Sequence, residues 1–221
     1  ANNFGTIFRM KPGMPSSFQL YSFTGGLDGR LPAAGLVAHG GLLYGVTWLG
    51  GQFSQQYSWG GGIYSVDPTS STLVATSVYQ FPPSAGGAGT VGTQPSGPLV
   101  FKGGYFYGCT DYGGLHSAGT VFKIQPGVWQ NIVLHDILPS ADGIYNRGEL
   151  TFVGNTLYGT NGWGAINNDY GTVWKLKLRP NNNNTWSVVH YFANGNDSAV
   201  PLSGLTKVGS DLFGTTWGRN P

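Results

Sequence analysis

Apolar and polar positions alternate in runs of three to six residues along the whole chain, and glycine-centred turns interrupt them at short intervals. The segments GLVAHGGLLYG (35–45), PLVFKGGYFYG (98–108), ELTFVGNTLYG (149–159) and GLTKVGSDLFG (204–214) each hold two such runs around Gly-Gly, Gly-Asn or Gly-Ser. Those dipeptides supply the positive φ that a two-residue hairpin needs, so each segment predicts a tight β-hairpin. No stretch shows a 3.6-residue period, and no helix is expected.

Two markers recur four times. An apolar–aromatic–Gly step stands at Leu43-Tyr44-Gly45, Phe106-Tyr107-Gly108, Leu157-Tyr158-Gly159 and Leu212-Phe213-Gly214, at spacings of 63, 51 and 55 residues. A Gly-Thr-Val-Phe type stands at Gly5–Phe8, Gly61–Tyr64, Gly119–Phe122 and Gly171–Trp174, at spacings of 56, 58 and 52. Between them lie the β-rich runs LYSF (20–23), VYQF (78–81), LHDI (134–137) and VHYF (189–192). Each unit therefore carries four short strands, a to d. Four-stranded units in tandem predict an all-β fold, a small β-propeller of four blades of four antiparallel strands. The approximate boundaries are 14–67, 68–125, 126–178, and 179–221 together with 1–13, within a single domain at 1–221. The last unit shows strands a to c, and the GTIF of ANNFGTIFRM supplies a d-type strand. Pairing the N-terminal strand with the C-terminal blade would close the circle and remove two exposed edges. A solenoid and an excised part of a larger ring are the alternatives.

Composition sharpens this picture. Charged residues make up 9% of the 221 residues, apolar residues 40% and aromatics 14%, with 38 glycines. That apolar content excludes a disordered chain. The 11 basic and 9 acidic residues are scattered, with no basic run of the kind that marks a nucleic-acid or anionic-membrane footprint. No apolar window is long enough to insert into a membrane as a helix. The lone Cys109 excludes an internal disulfide and reads as a small buried residue. Asn183-Asn184-Thr185 and Asn196-Asp197-Ser198 have the form of glycosylation triplets, and Ala1 is compatible with a mature terminus; both favour a secreted, extracellular protein.

The pattern Leu-Tyr-Gly-Thr…Gly-Gly…Gly-Thr-Val-Phe-Lys, clearest in LYGTNGWG…YGTVWKL and FYGCTDYGG…AGTVFKI, resembles the repeat of the GloVer tandem-repeat proteins. The resemblance covers essentially the whole chain and departs in the first unit, where GGIY replaces GTVF. It implies a propeller of repeats that is secreted or attached to the surface, and it brings no settled biochemical activity with it. Small propeller lectins are a looser analogy at the level of fold.

Strand alternation puts the a–b and c–d loops at one end of the blades, and these are the longer and more varied loops. Trp48, Tyr112, Trp163 and Trp217 follow strand c in the four units, accompanied by Asp111, Asn161, Asp169 and Arg219, while the a–b loops add Asp28, Asp142 and Asp197. A flat aromatic beside amides, carboxylates and a guanidinium suits a sugar ring, whose C–H face stacks and whose hydroxyls need fixed donors and acceptors. The expected partners are glycans or glycoproteins, with Trp48, Asp111, Tyr112, Asn161, Trp163, Asp169, Trp217, Arg219, Asp28 and Asp142 as ligand contacts. The competing reading makes the aromatics wedges between blades. Trp174 takes a core slot held elsewhere by Phe8, Tyr64 and Phe122. His135 and His190, in the place of Tyr21 and Tyr79, read as hydrogen-bonded strand residues before they read as metal ligands. No cofactor is expected. The Asp-Gly loops offer calcium one carboxylate each, against the six to eight oxygens it takes. Glu149 is unique among the units, but no second acid is pinned to it by spacing, so the chain reads first as a binding protein, with a polysaccharide-active enzyme built on Glu149 or Asp169 as a lesser alternative. The rival class is a protein-interaction module.

Overall fold

The computed structural model describes residues 3–51, 60–83, 91–164, 170–193 and 196–218. Strands β1 (Thr6–Lys11) and β2 (Met14–Ser22) form a two-stranded pair. Three larger antiparallel sheets follow. The first holds β3 (Arg30–Pro32), β4 (Val37–His39), β5 (Leu42–Leu49), β6 (Gly62–Val66) and β7 (Thr76–Gln80); the second holds β8 (Gly92–Pro95), β9 (Val100–Lys102), β10 (Tyr105–Gly113), β11 (Thr120–Ile124) and β12 (Asn131–Asp136). The third holds β13 (Thr151–Val153), β14 (Thr156–Asn161), β15 (Thr172–Lys177) and β16 (Thr185–Tyr191), and β17 (Thr206–Val208) pairs with β18 (Asp211–Phe213). The protein is thus all-β, built of repeated antiparallel sheets. The expected hairpins are present: Gly40 and Gly41 have φ of 57° and 80°, and Gly103 and Gly104 of 56° and 86°, the mirror-image turn that matches strand twist.

Each sheet takes its fourth strand from the following repeat. Strand a hydrogen-bonds strand d of the unit before it, as in β6–β7, β11–β12 and β15–β16, and not strand b of its own unit. Its edge is therefore covered by the chain that has just formed the preceding sheet.

The two repeat markers are cross-strand partners, which explains why they recur together. Gly45 pairs with Tyr64, Gly108 with Phe122 and Gly159 with Trp174. A Cβ on these glycines would come within 2.5, 2.6 and 2.3 Å of the facing ring. Glycine here makes room for an aromatic lying flat across the neighbouring strand. Those aromatics then pack against the preceding layer: Tyr64 with Ile7 and Phe23, Phe122 with Val46 and Phe81, Trp174 with Tyr107 and Cys109. Successive layers thus share continuous apolar cores along the chain.

Three expectations are modified. Pro139–Asp142 forms one helical turn in an a–b loop, with proline at its start, where φ is already set for a helix. Strands β3 and β8, together with an Ile144–Trp163 bridge, zip the a–b segments onto the far half of strand c, so Trp48, Asp111 and Tyr112 sit within strands. The anticipated pairing of the N-terminal strand with the last unit is not formed among the described residues. Strands β1–β2 and β17–β18 are separate sheets, and the apolar side chains that such a seam would cover, Phe8 and Phe213, are 61% and 57% exposed.

Candidate functional site

A cleft of about 560 Å³ opens where the ends of three layers and the N-terminal pair converge. Its walls are Gly5 and Thr6, the β3 segment Leu31-Pro32-Ala33, Trp48, Ser96, Asp111 and Arg147. Aligning the repeats on their markers shows how it is made. Trp48 and Asp111 occupy one slot, the third residue after the marker glycine, which holds Gly162 and Trp217 in the other units. Ala33, Ser96 and Arg147 occupy a second slot, which Leu202 holds in the last unit. The marker slots keep a glycine and an aromatic in every unit, while the two cleft slots change chemistry from unit to unit. Such variation on a rigid frame is how a repeat architecture differentiates a site.

The backbone that presents the second slot is strained in every repeat. Leu31, Gln94, Tyr145 and Val200, two residues before it, have φ of 55°, 60°, 62° and 61°. Non-glycine residues in the left-handed region cost on the order of 1 kcal/mol, and such strain concentrates at functional sites. The carbonyls of Phe4, Gly60 and Tyr170 hold three of these turns by accepting the N–H of Leu31, Gln94 and Val200.

Asp111 is the electrostatic centre. The residue is 1% exposed. Its Oδ2 accepts from Trp48 Nε1 at 3.2 Å and from Arg147 Nε at 3.1 Å, with Arg147 Nη2 also at 3.1 Å. Ser96 Oγ lies close by but donates to the Asn146 carbonyl at 3.0 Å, and Asp111 Oδ1 has no hydrogen-bond partner among the described residues. Burial pushes the Asp111 carboxyl above its ordinary value, against the pull of the Arg147 charge. The guanidinium of Arg147 lies over Tyr145 (5.1 Å) and Trp48 (5.9 Å), and its side chain keeps 42% of its surface exposed. Tyr145 extends the cluster, accepting a hydrogen bond from Tyr112 Oη at 3.2 Å and packing edge-on against Trp163.

Four of the expected residues, Trp48, Asp111, Tyr112 and Trp163, therefore join one network, with Trp48 and Asp111 lining the cleft. The others lie elsewhere. Asn161 is fully buried; its Oδ1 accepts from Trp174 Nε1 at 3.0 Å, and its Nδ2 donates to the Asp142 carbonyl at 2.6 Å. Asp28, Asp142 and Asp197 play one repeated role. Each accepts a hydrogen bond from the N–H four residues earlier (Thr24, Leu138, Ala193) and is bonded to the side chain seven residues earlier (Tyr21, His135, His190), clamping the a–b loop onto strand a. Asp142 also accepts from Trp186 Nε1 at 2.7 Å. Its burial is outweighed by the His135 hydrogen bond and the Leu138 N–H, which hold its carboxyl below the ordinary value. Trp217 is 76% exposed beside a shallower cleft with Leu202 and Ser203. Asp169 and Arg219 lie outside the described residues. Glu149 is exposed, and no group of three or more His, Cys, Asp or Glu able to hold a metal occurs among the described residues.

Arg147, Tyr145 and Ser96 are absent from the sequence-based site. The signal was present: Arg147 is the one charged residue in a slot otherwise filled by Ala33, Ser96 and Leu202. The unequal lengths of the a–b loops conceal the equivalence of these positions.

No curated protein matches the chain. The resemblance carried by the LYGT and GTVF steps is borne out over the full length: residues 1–221 match the model of the Gloeobacter/Verrucomicrobia repeat, and the chain belongs to that repeat family.

Proposed function

We propose that this chain is a secreted carbohydrate-binding protein, a lectin and not an enzyme, whose glycan or glycoprotein ligand seats in the cleft walled by Trp48, Asp111 and Arg147. The observation that carries the reading is a buried carboxylate and a half-exposed guanidinium held together beside an indole and a tyrosine, over an apolar floor of Leu31, Pro32 and Ala33. Sugars call for that combination of stacking surface with fixed donors and acceptors, in a cleft within the ~300–1,000 Å³ range of small-ligand sites. A glycan array with the parent protein and Trp48→Ala tests it. Specific binding that the substitution abolishes is expected; silence of the parent on every glycan, or binding unchanged by Trp48→Ala, overturns it.

We also propose that the fold is a four-bladed propeller in which β1 and β2 complete the blade begun by β17 and β18. Gly214 is the marker glycine that lacks a facing aromatic, while Phe8, the aromatic of the first marker, is 61% exposed. A groove of about 420 Å³ lies beside β18, with Val173, Val189, Leu205, Leu212 and Gly214 among its lining residues, where the facing ring would seat. Phe8→Cys with Gly214→Cys should oxidise to a disulfide within one monomer. A disulfide formed only between chains, or none, argues against closure.

A further inference from the structure

We infer that Trp217 supplies a further wall of the cleft: when the propeller closes, its indole seats over Ala33 beside Trp48, and the ligand meets two indoles there. This rests on the closure and carbohydrate readings above. The two variable slots meet across neighbouring layers, each second-slot side chain facing the first-slot residue of the unit before it. Arg147 binds Asp111 in this way, and Leu202 fills the space beside Gly162, where a Cβ would meet its Cδ2 at 2.6 Å. Ser96 lines the same cleft as Trp48. Each pair is matched: opposite charges at Asp111 and Arg147, a bulky side chain against a bare glycine at Leu202 and Gly162, a large residue with a small one at Trp48 and Ser96. Trp217 and Ala33 are the two members left over, an indole in the first slot and the smallest side chain in the second.

The N-terminal strand stands where that match requires it. Gly5 abuts Pro32 as Gly61 abuts Pro95 and Gly171 abuts Pro201, since a Cβ on each glycine would run into the proline ring. Leu31 donates its N–H to the Phe4 carbonyl just as Gln94 donates to Gly60 and Val200 to Tyr170. Strand β1 therefore holds the strand-d position against the first layer. In the three larger sheets strand d pairs with a strand c that leads into the first slot. In the last unit that strand is β18, and Trp217 follows it. The Trp217 backbone is fixed, its N–H donating to the Val200 carbonyl at 2.9 Å and that of Gly218 to Ala199 at 3.0 Å, yet its indole is 76% exposed. One layer on, Trp48 Nε1 reaches Asp111, so neighbouring first slots touch, and the same step brings Trp217 against Trp48. Two indoles bordering one cleft offer a sugar ring stacking surface on two sides.

The test is a size swap. Ala33→Trp and Trp217→Ala are made singly and together, and each protein is followed through a thermal melt. Overfilling the seat and emptying it should each lower Tm by about 3 °C or more, and the combined protein should recover roughly half or more of the summed loss. Additive losses overturn the seat, and closure still stands if the Phe8–Gly214 disulfide forms. Where the swapped protein does not fold, Ala33→Cys with Trp217→Cys decides the placement. A short bismaleimide should join the two within one chain; cross-links only between chains, or none, overturn it. Trp217→Ala should also weaken the best ligand of the glycan array about tenfold in a calorimetric titration, and unchanged affinity removes the indole from the ligand site. A coupled swap in a protein that binds no glycan supports the seat and overturns the carbohydrate reading.

Discussion

Gly159→Ala isolates the contact that builds each layer. Gly159 does not have positive φ, so alanine costs nothing in backbone conformation there, and any effect is steric. The added Cβ would sit 2.3 Å from Trp174 Cζ2, 2.8 Å from Cε2 and 2.9 Å from Cη2. Ordinary carbon contacts lie near 3.5–4.0 Å, so the ring must retreat by more than 1 Å. It has little room to do so. Trp174 is fully buried, stacks on Trp186 at 4.5 Å, and donates from Nε1 to Asn146 Oδ1 at 3.1 Å and to Asn161 Oδ1 at 3.0 Å. Overpacking of this kind costs about 1–3 kcal/mol, and losing the indole hydrogen bond adds about 0.5–1.5 kcal/mol. A total of roughly 1.5–4.5 kcal/mol is expected from a domain whose whole stability is on the order of 5–15 kcal/mol. At about 2–4 °C per kcal/mol for a chain of this size, Tm should fall by about 3–18 °C in a thermal melt followed by circular dichroism. In a Trp174→Leu background the clash is gone, and the same glycine substitution should cost under about 0.5 kcal/mol. A Gly159→Ala protein within 0.5 kcal/mol of wild type, or additive effects of the two changes, would refute the account of glycine as the seat of the aromatic.

Asp142→Asn should destabilise by roughly 1.5–4.5 kcal/mol, from three hydrogen bonds at about 0.5–1.5 kcal/mol each. Because its folded carboxyl titrates below the unfolded value of about 3.9, its contribution is complete above that pH and is lost as pH falls through the folded value. The substitution should therefore flatten the acid limb of a stability–pH profile below about pH 4, and an unchanged limb would remove Asp142 from the clamp. Burial, with a further contribution from the Asp28 hydrogen bond and charge, pushes the Tyr21 phenol up to about 12; Asp28→Asn should bring it down in an ultraviolet titration. Cys109 is buried and its thiol is pushed upward, first by burial and then by Asp111, so a thiol reagent should label it only after denaturation.

The repeat was legible in the chain because its determinants are local. Turn glycines, alternation and the paired markers act within about 20 residues, and strand d follows strand c closely enough that Gly159 and Trp174 are read together. Even the satisfaction of the third unit's unusual tryptophan is written in the repeats: Asn146 stands where Pro32 and Pro95 stand, and Asn161 where Thr47 and Thr110 stand, both supplying acceptors for the Trp174 indole. The division of strands into sheets was not legible, since strand a could hydrogen-bond either neighbour and only packing settles which. The site divided in the same way. Trp48 and Asp111 stood out as an indole and a carboxylate at the ends of strand c. That Arg147, 36 residues beyond Asp111, reaches back to the same oxygen is decided by how one layer rests on the next. So are the contrasting roles of Asp111 and the three loop aspartates. The same residue type spans a cleft where neighbouring layers converge, and clamps a loop where its partners lie only four and seven residues away in the chain.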